Sequence, residues 1–228
     1  MAVGYNPSIV SDGLVFFLDA ANPRCYSGSG NTVNNLLSSI GGTLYNGVIH
    51  SNSPSPYFDF DGTNDYIGFP KLDALSGKTA FTMSVFCSRE GVFFDINQGT
   101  SYPESTFLSL YNSTVYFSLS ANSGLQSYGQ YTNSNTGYRH FVAVFDGSLS
   151  GNSNRLKIYE NGVLQSLTFS STIPNITTTT GDEFEIGVIK YLPYYTSSQF
   201  AQVQIYNRAL TQQEILQNFN ATRFRYGI

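Results

Sequence analysis

Short stretches of alternating apolar and polar residues recur along this chain. Val115, Phe117 and Leu119 lie two positions apart, separated by Tyr and Ser. The same period of two occurs in three later stretches: 156–159, 183–188 and 201–205. Because successive side chains of a β-strand point to opposite faces, this period predicts strands with one buried face. Two continuously apolar runs, 14–18 and 141–145, predict strands that are covered on both faces.

The segments between these runs have the chemistry of turns. Asn161-Gly162 separates two strand-like runs, and Asn-Gly readily takes the positive φ angles of a type I′ hairpin turn. The chain has 17 Tyr, 18 Phe and 21 Gly; aromatic residues suit a pleated, half-buried surface and glycine suits turns. Many short strands joined by such turns predict an all-β sandwich or barrel.

One helix is predicted, near the C-terminus. Thr211 and Glu214 have the spacing of a capping box, in which each side chain accepts a hydrogen bond from the backbone N–H of the other. An apolar stripe follows, as expected for an amphipathic helix. We expect a single domain, 1–228, with an N-terminal arm at 1–11, this helix at about 211–221 and a tail at 222–228.

Charged residues make up only 11% of the chain, and the net charge is -4. No stripe of Lys and Arg is present, so nucleic-acid binding is not expected. The first residues lack a basic segment followed by an apolar run, and no stretch of about 18 apolar residues occurs, so neither a signal peptide nor a membrane span is predicted. Cys25 and Cys87 are the only cysteines, and we expect no disulfide between them.

Six sequence segments occur in a recognisable order. They are GLVFFLDAANP (13–23), GTLYNG (42–47), FDGTNDYI (60–67), HFVAVFDG (140–147), LKIYENG (156–162) and VQIYNRALT (203–211). Together they resemble the laminin-G-like branch of the concanavalin-A-like lectins and glucanases. The resemblance implies an antiparallel β-sandwich of jelly-roll topology with one short C-terminal helix.

A narrower resemblance involves segments 13–23 and 217–228, which are similar to small virion proteins of tailed bacteriophages, notably marine ones. It implies a non-enzymatic structural or display protein of the capsid or tail, whose partners are other virion proteins and host-surface glycans. Such a protein is made in the host cytoplasm, which agrees with the absence of a predicted signal peptide. The alternative is a free lectin-like carbohydrate-binding module, with or without a dependence on calcium. Heptads are absent, so a homo-oligomer would use the sandwich surface or the termini.

No catalytic residues are predicted. The jelly-roll glucanases carry a Glu-x-Asp-x-(x)-Glu pattern on one strand, and this chain has none. Glu183 and Glu185 share a strand face opposite Phe184 and Ile186, and we expect them to form a solvated acidic face. The two histidines and two cysteines lack the spacing of zinc ligands, and no nucleophile elbow is present.

Asp61, Asn64 and Asp65 are the candidate metal ligands, because calcium prefers carboxylate, amide and backbone oxygens. The same DGTND sequence is typical of a turn in which Asp and Asn bond the neighbouring backbone. Family members often place an acid just before the strand that matches Val203, where this chain has Ala201. The turn is therefore favoured, a weak calcium site is the alternative, and no other cofactor is expected.

Exposed tyrosines are the candidate glycan contacts, since sugars stack on aromatic faces; such residues also make good protein contacts. The candidates are Tyr128, Tyr131, Tyr191, Tyr194 and Tyr195.

The C-terminal tail is the candidate docking segment. Its residues are Arg223, Phe224, Arg225 and Tyr226. The alternative for this tail is an edge strand or a frayed end.

Overall fold

A computed structural model describes residues 8–53, 55–88, 93–98, 105–120, 126–178, 183–189, 192 and 194–228. In these residues the strands in chain order are β1 Leu14–Asp19, β2 Thr32–Asn34, β3 Gly41–Tyr45, β4 Ile49–Ser51, β5 Tyr57–Asp59, β6 Tyr66–Phe69, β7 Ala80–Ser88, β8 Phe93–Gln98, β9 Thr106–Tyr111, β10 Thr114–Ser120, β11 Gln126–Thr132, β12 Tyr138–Asp146, β13 Leu156–Glu160, β14 Val163–Leu164, β15 Thr168–Phe169, β16 Phe184–Ile186, β17 Val188–Ile189, β18 Tyr194–Tyr195 and β19 Gln199–Tyr206. The helices are α1 Asn152–Arg155, α2 Gln212–Thr222 and a 3₁₀ turn at Arg223–Tyr226.

The strands form two large antiparallel sheets and one small hairpin. The back sheet has eight strands in the order β14-β13-β12-β7-β19-β5-β4, with β1 also paired to β19. The front sheet has nine strands in the order β15-β11-β10-β9-β8-β16-β6-β3-β2, and β17 pairs with β18. The predicted all-β antiparallel sandwich with a short C-terminal helix is confirmed.

The main core lies between the two sheets and is rich in phenylalanine. Phe81 of the back sheet meets Phe117 of the front sheet edge to face, with ring centroids 6.0 Å apart. Phe16 and Phe69 make a similar contact at 4.8 Å. Burial of one such side chain stabilises the fold by roughly 1.5–3 kcal/mol, so these contacts hold the two sheets together.

The outer face of the back sheet is covered by α2. Thr211 caps this helix: its Oγ1 accepts from the Glu214 N–H at 3.3 Å, and the Glu214 carboxylate accepts from the Thr211 N–H at 2.8 Å. The predicted capping box is therefore confirmed. The continuously apolar run 141–145 is buried along its whole length, with Val142 and Val144 facing the same cluster as Ile215 of α2.

One alternation expected from the sequence is wrong. Strand β19 has a bulge between Phe200 and Gln202 where it pairs with β7. Ala201 therefore leaves the core face that Val203 occupies and packs with Phe219 and Tyr226 on the outer side. The alanine lies beneath the C-terminal segment rather than between the sheets.

The structure also describes the hairpin turn, the two cysteines and the character of the helices. Asn161 and Gly162 have φ angles of 50° and 80°, as a type I′ turn requires. Cys25 and Cys87 are both buried and form no disulfide, and burial raises the pKa of the Cys25 thiol to about 11. None of the helices in the described part of the chain has the length and apolar character needed to cross a membrane.

Candidate functional site

The candidate metal ligands lie in the turn between β5 and β6. The Asp61 carboxylate accepts a hydrogen bond from the Thr63 N–H at 2.7 Å. The Asp65 carboxylate accepts from the Asp61 N–H at 3.3 Å, and Gly62 has a φ of 78°. These contacts are the side chain-to-backbone bonds that the turn interpretation requires.

Asp65 is the unusual member of this turn. Its side chain is buried, and its Oδ1 atom has no hydrogen-bond partner in the part of the chain that the structure describes. Burial is the main cause of a raised pKa at Asp65; the bond from the Asp61 N–H lowers it, and the carboxylates of Asp61 and Asp59 raise it further. The fold therefore holds one buried carboxylate oxygen in a position that disfavours negative charge.

A calcium ion takes six to eight oxygen ligands, and this turn supplies only part of such a set. No group of three or more His, Cys, Asp and Glu side chains in the described residues could hold a metal ion. Ala201 packs with Phe219 and Tyr226 on the outer side of the back sheet and does not face the turn. The turn instead approaches Ser197, since a Cβ added at Gly62 would lie 3.0 Å from the Ser197 Cβ. Residue 201 therefore has no bearing on a metal there, and calcium at Asp61, Asn64 and Asp65 stays a prediction.

A second set of polar aromatic residues lies on the outer face of the front sheet, which we call the tyrosine face. Its members are Tyr45 of β3, Tyr66 of β6, Tyr111 of β9, Tyr116 of β10, Tyr128 of β11 and Tyr194 of the β17–β18 hairpin. Each strand tyrosine is next in sequence to an inward-pointing residue, as Tyr116 is to Val115 and Phe117 of the core. The alternation that builds the core thus places the tyrosines on the opposite surface.

The six tyrosines form three ring pairs. Tyr45 and Tyr66 are parallel within 10°, with centroids 4.4 Å apart. Tyr111 and Tyr194 are parallel within 6° at 5.5 Å, whereas Tyr116 and Tyr128 meet edge to face at 5.7 Å. Tyr45, Tyr111 and Tyr194 remain 37%, 40% and 42% exposed. Two of the pairs therefore present aromatic surface to solvent.

The glycan candidates from the sequence are distributed unevenly over this structure. Tyr128 and Tyr194 lie on the tyrosine face, and Tyr195 is a partly buried residue of β18 paired with Val188. Tyr131 lies on the inward side of β11 and packs against the core. Tyr191 lies outside the described residues.

Four tyrosines of this face were missed in the sequence. They are Tyr45, Tyr66, Tyr111 and Tyr116. The signal that the sequence carries for them is their place at the polar positions of alternating strands.

Tyr131 has a structural partner instead. Its hydroxyl donates to the buried carboxylate of Glu160 at 2.9 Å. Asn133 Nδ2 also donates to Glu160, and Arg139 Nε lies 3.3 Å from the other oxygen. Because Tyr131 is in the front sheet and Glu160 in the back sheet, this cluster ties the two sheets together at one edge.

The acidic strand face expected at 183–185 is only half correct. Glu183 is exposed, but Glu185 is completely buried. Phe184 and Ile186 of the same strand lie in the core, so Glu185 points to the outer face of the front sheet and is covered there. A solvated face is therefore wrong for Glu185.

The structure pairs one histidine with a serine, but in an enclosed place. His140 Nε2 lies 2.8 Å from Ser84 Oγ, and the imidazole stacks on Phe86 at 4.3 Å. Complete burial lowers the pKa of His140 to about 3. Phe219 of α2 lies over the same ring, so this pair is not presented to a substrate.

Residues 61–216 match the laminin-G-type family model described as the concanavalin A-like lectin/glucanases superfamily. The chain belongs to this family. No curated protein matched the sequence.

Solved structures show the same fold at low sequence identity. The Trypanosoma rangeli sialidase in complex with sialic acid has a TM-score of 0.64 and 16% identity, over 97% of this chain and 35% of that one. The botulinum neurotoxin serotype G binding domain gives 0.66 and 11%, over 90% and 50%. The receptor-binding domain of botulinum neurotoxin D gives 0.65 and 10%, over 91% and 52%. The laminin-G-like chain thus spans about a third to a half of these proteins, and the likeness concerns the fold alone.

The C-terminal segment of this laminin-G-like chain lies beyond the matched residues. Tyr226 is buried and stacks on Tyr138 at 4.9 Å, and Arg225 Nη1 donates to the Asp19 carboxylate at 2.9 Å. Phe224 is 73% exposed, with the Arg223 guanidinium 4.5 Å from its ring centroid. The segment is an anchored 3₁₀ turn rather than an edge strand or a frayed end, and it presents Phe224 to solvent.

Proposed function

We propose that this laminin-G-like chain is a non-catalytic carbohydrate-binding module that holds glycans on its tyrosine face. The observation that carries the proposal is the Tyr111–Tyr194 pair, two parallel rings that are each about 40% exposed. A pyranose ring has an apolar face of C–H groups that packs on an aromatic ring while its hydroxyls bond to polar neighbours. Tyrosine suits this role because it is a rigid ring with a polar tip and loses little conformational entropy on binding.

The family and the similar structures favour a binding role. The sialidase structure is described as a complex with sialic acid, and the neurotoxin structures are described as binding or receptor-binding domains. In each case this fold makes up only part of the chain, so the analogy supports binding in general.

A catalytic role has less support in the geometry. Glycoside hydrolysis generally requires two carboxyl groups about 5–9.5 Å apart on either side of the sugar bond. Glu183 and Glu185 share a strand face, but Glu185 is completely buried. The Ser84–His140 pair is enclosed beneath Phe86 and Phe219. We therefore expect binding without turnover.

The test is a glycan array probed with the purified chain, once with calcium and once with EDTA. We expect binding to a defined set of glycans in both conditions, and a reduced signal for at least part of that set in Tyr194→Ala. Tyr194→Phe, which keeps the ring, is the matched control and should retain the signal. An array with no signal, or one unchanged in Tyr194→Ala, would contradict the proposal.

A placement on the particle of a tailed phage, at the capsid or the tail, is the finer part of this proposal. It rests on the resemblance of segments 13–23 and 217–228 to small virion proteins. The structural observation that favours it is Phe224, a largely exposed apolar side chain on an anchored segment, which suits contact with a virion protein or a second copy of this chain. Such a module could hold a host glycan from the particle surface.

Peptide mass spectrometry and antibody labelling of purified particles test this placement. Stoichiometric presence on the head would identify a decoration protein, and presence at the tail would support a role in adsorption. Absence from intact particles would overturn the virion placement and leave a free binding module.

A further inference from the structure

We propose that Tyr45 and Tyr66 form a second sugar site, separate from Tyr111–Tyr194, and that it takes a neutral pyranose. This inference rests on the proposed glycan-binding function and adds both a site and a ligand class to it.

The ring geometry provides a platform. Tyr66 stacks on one face of Tyr45 at 4.4 Å, and Tyr45 remains 37% exposed, so part of its surface is open to a ligand. Gly68 supports this arrangement: a Cβ added there would lie 3.1 Å from Cε2 of Tyr45 and 3.6 Å from Cε2 of Tyr66. Any larger residue would displace the rings that glycine allows to stand over the strand.

Polar groups suited to sugar hydroxyls lie on the loops that adjoin the two platform strands. Asn46 follows Tyr45 in sequence, and Asn46 Nδ2 donates to the Asn64 carbonyl at 2.9 Å. This bond joins the loop after β3 to the turn before β6 and fixes their relative position. The side chains of Asn46, Thr63 and Asn64 are exposed. They offer amide and hydroxyl groups next to an aromatic face, which is the combination that binds and orients a pyranose.

The site is separate from the first ring pair. Strands β16 and β8 lie between β6, which carries Tyr66, and β9, which carries Tyr111. At a strand spacing of about 4.8 Å, the two strands are roughly 14 Å apart. One sugar ring cannot contact both pairs, so each pair binds its own sugar unit.

The local charge selects a neutral sugar. Residues 41–51 and 57–69, which contain both tyrosines and both loops, include no Lys or Arg. Of the three carboxylates there, that of Asp61 is exposed, whereas Asp65 is buried and Asp59 belongs to β5 of the back sheet. A sugar acid such as sialic acid gains from a cationic partner, commonly Arg, and would be repelled by the Asp61 carboxylate. This site therefore differs in its ligand class from the sialic acid of the sialidase complex.

The experiment is protein-observed NMR of the whole chain, titrated separately with the methyl glycosides of glucose, galactose, mannose and N-acetylglucosamine, and with the α-methyl glycoside of sialic acid. We expect at least one neutral glycoside to shift the signals of Asn46, Asn64 and Gly68. Tyr45→Ala should raise the Kd measured from these signals about tenfold or more, and Tyr45→Phe should leave it within about twofold. Tyr194→Ala, which leaves this platform intact, should not change it.

The other outcomes separate the second site from the proposed function. If glycosides shift only signals near Tyr111 and Tyr194, the second site is wrong and the glycan-binding function stands. If no glycoside shifts any signal and the glycan array also shows no binding, then both the second site and the glycan-binding function are wrong. Shifts at Asn46 and Gly68 that persist in Tyr45→Ala overturn the platform, and sialoside binding equal to that of the neutral sugars overturns the ligand class.

Discussion

At the scale of single residues, Asp65 decides between the turn and the calcium site. Its Oδ2 accepts from the Asp61 N–H, while its Oδ1 is buried without a hydrogen-bond partner among the described residues. Because burial raises its pKa, the charged form is disfavoured. We expect Asp65→Asn to change the free energy of unfolding by no more than about 1 kcal/mol, and calcium to leave the melting temperature of both proteins unchanged. Calcium that stabilises the native chain but not Asp65→Asn in thermal unfolding would establish a metal site.

His140 gives a second prediction at this scale, one that concerns pH. Its pKa is lowered to about 3 in the folded chain by burial, whereas an unfolded histidine titrates near 6.5. Below about pH 6.5 the unfolded chain takes up a proton that the folded chain does not. The free energy of unfolding therefore decreases as the pH is lowered, by up to about 1.4 kcal/mol per pH unit. Urea unfolding from pH 7 to pH 5 should show a shallower decline in His140→Gln than in the native chain. Equal slopes in the two proteins would show that His140 is not the group responsible.

At the scale of elements, the C-terminal segment combines an anchor with an exposed residue. Tyr226 stacks on Tyr138 and packs with Phe86, whereas Phe224 is largely exposed. We expect Tyr226→Ala to lower the free energy of unfolding by about 2–4 kcal/mol, and Phe224→Ala to change it by less than about 0.5 kcal/mol. Denaturant unfolding of both variants measures the difference. Comparable losses in the two would contradict this assignment of roles.

The same contrast determines how a docking role should be tested. Deletion of residues 222–228 would also remove the bond between Arg225 and the buried carboxylate of Asp19, so it would disturb the fold itself. Phe224→Ala removes only the exposed ring. If this variant no longer associates with the particle while its free energy of unfolding is unchanged, the exposed ring is a docking contact.

Several elements could be predicted from the sequence because their determinants are local. The capping box needs only Thr211 and Glu214, and the hairpin turn needs only Asn161-Gly162. The bulge that turns Ala201 toward the C-terminal helix depends on how β19 pairs with β7, more than 100 residues away in sequence, and no local pattern reports it. The burial of Glu185 likewise depends on what covers the outer face of β16, which no local pattern reports.

At the scale of the whole molecule, sheet order brings the candidate site together. Tyr45, Tyr66, Tyr111 and Tyr128 come from strands far apart in sequence, and they share one surface because β3, β6, β9 and β11 belong to one sheet. The sequence indicated the strands and the family, but the register between distant strands decides which tyrosines pair. Tyr194 illustrates this point, since it is a loop candidate in the sequence and a stacking partner of Tyr111 in the fold.

The most direct test of glycan binding on the tyrosine face is a crystal structure of this chain with the strongest ligand from the glycan array. We predict a sugar ring packed against Tyr111–Tyr194 or Tyr45–Tyr66, with its hydroxyls bonded to neighbouring polar side chains. A glycan held elsewhere, with both tyrosine pairs open to solvent, would contradict the account.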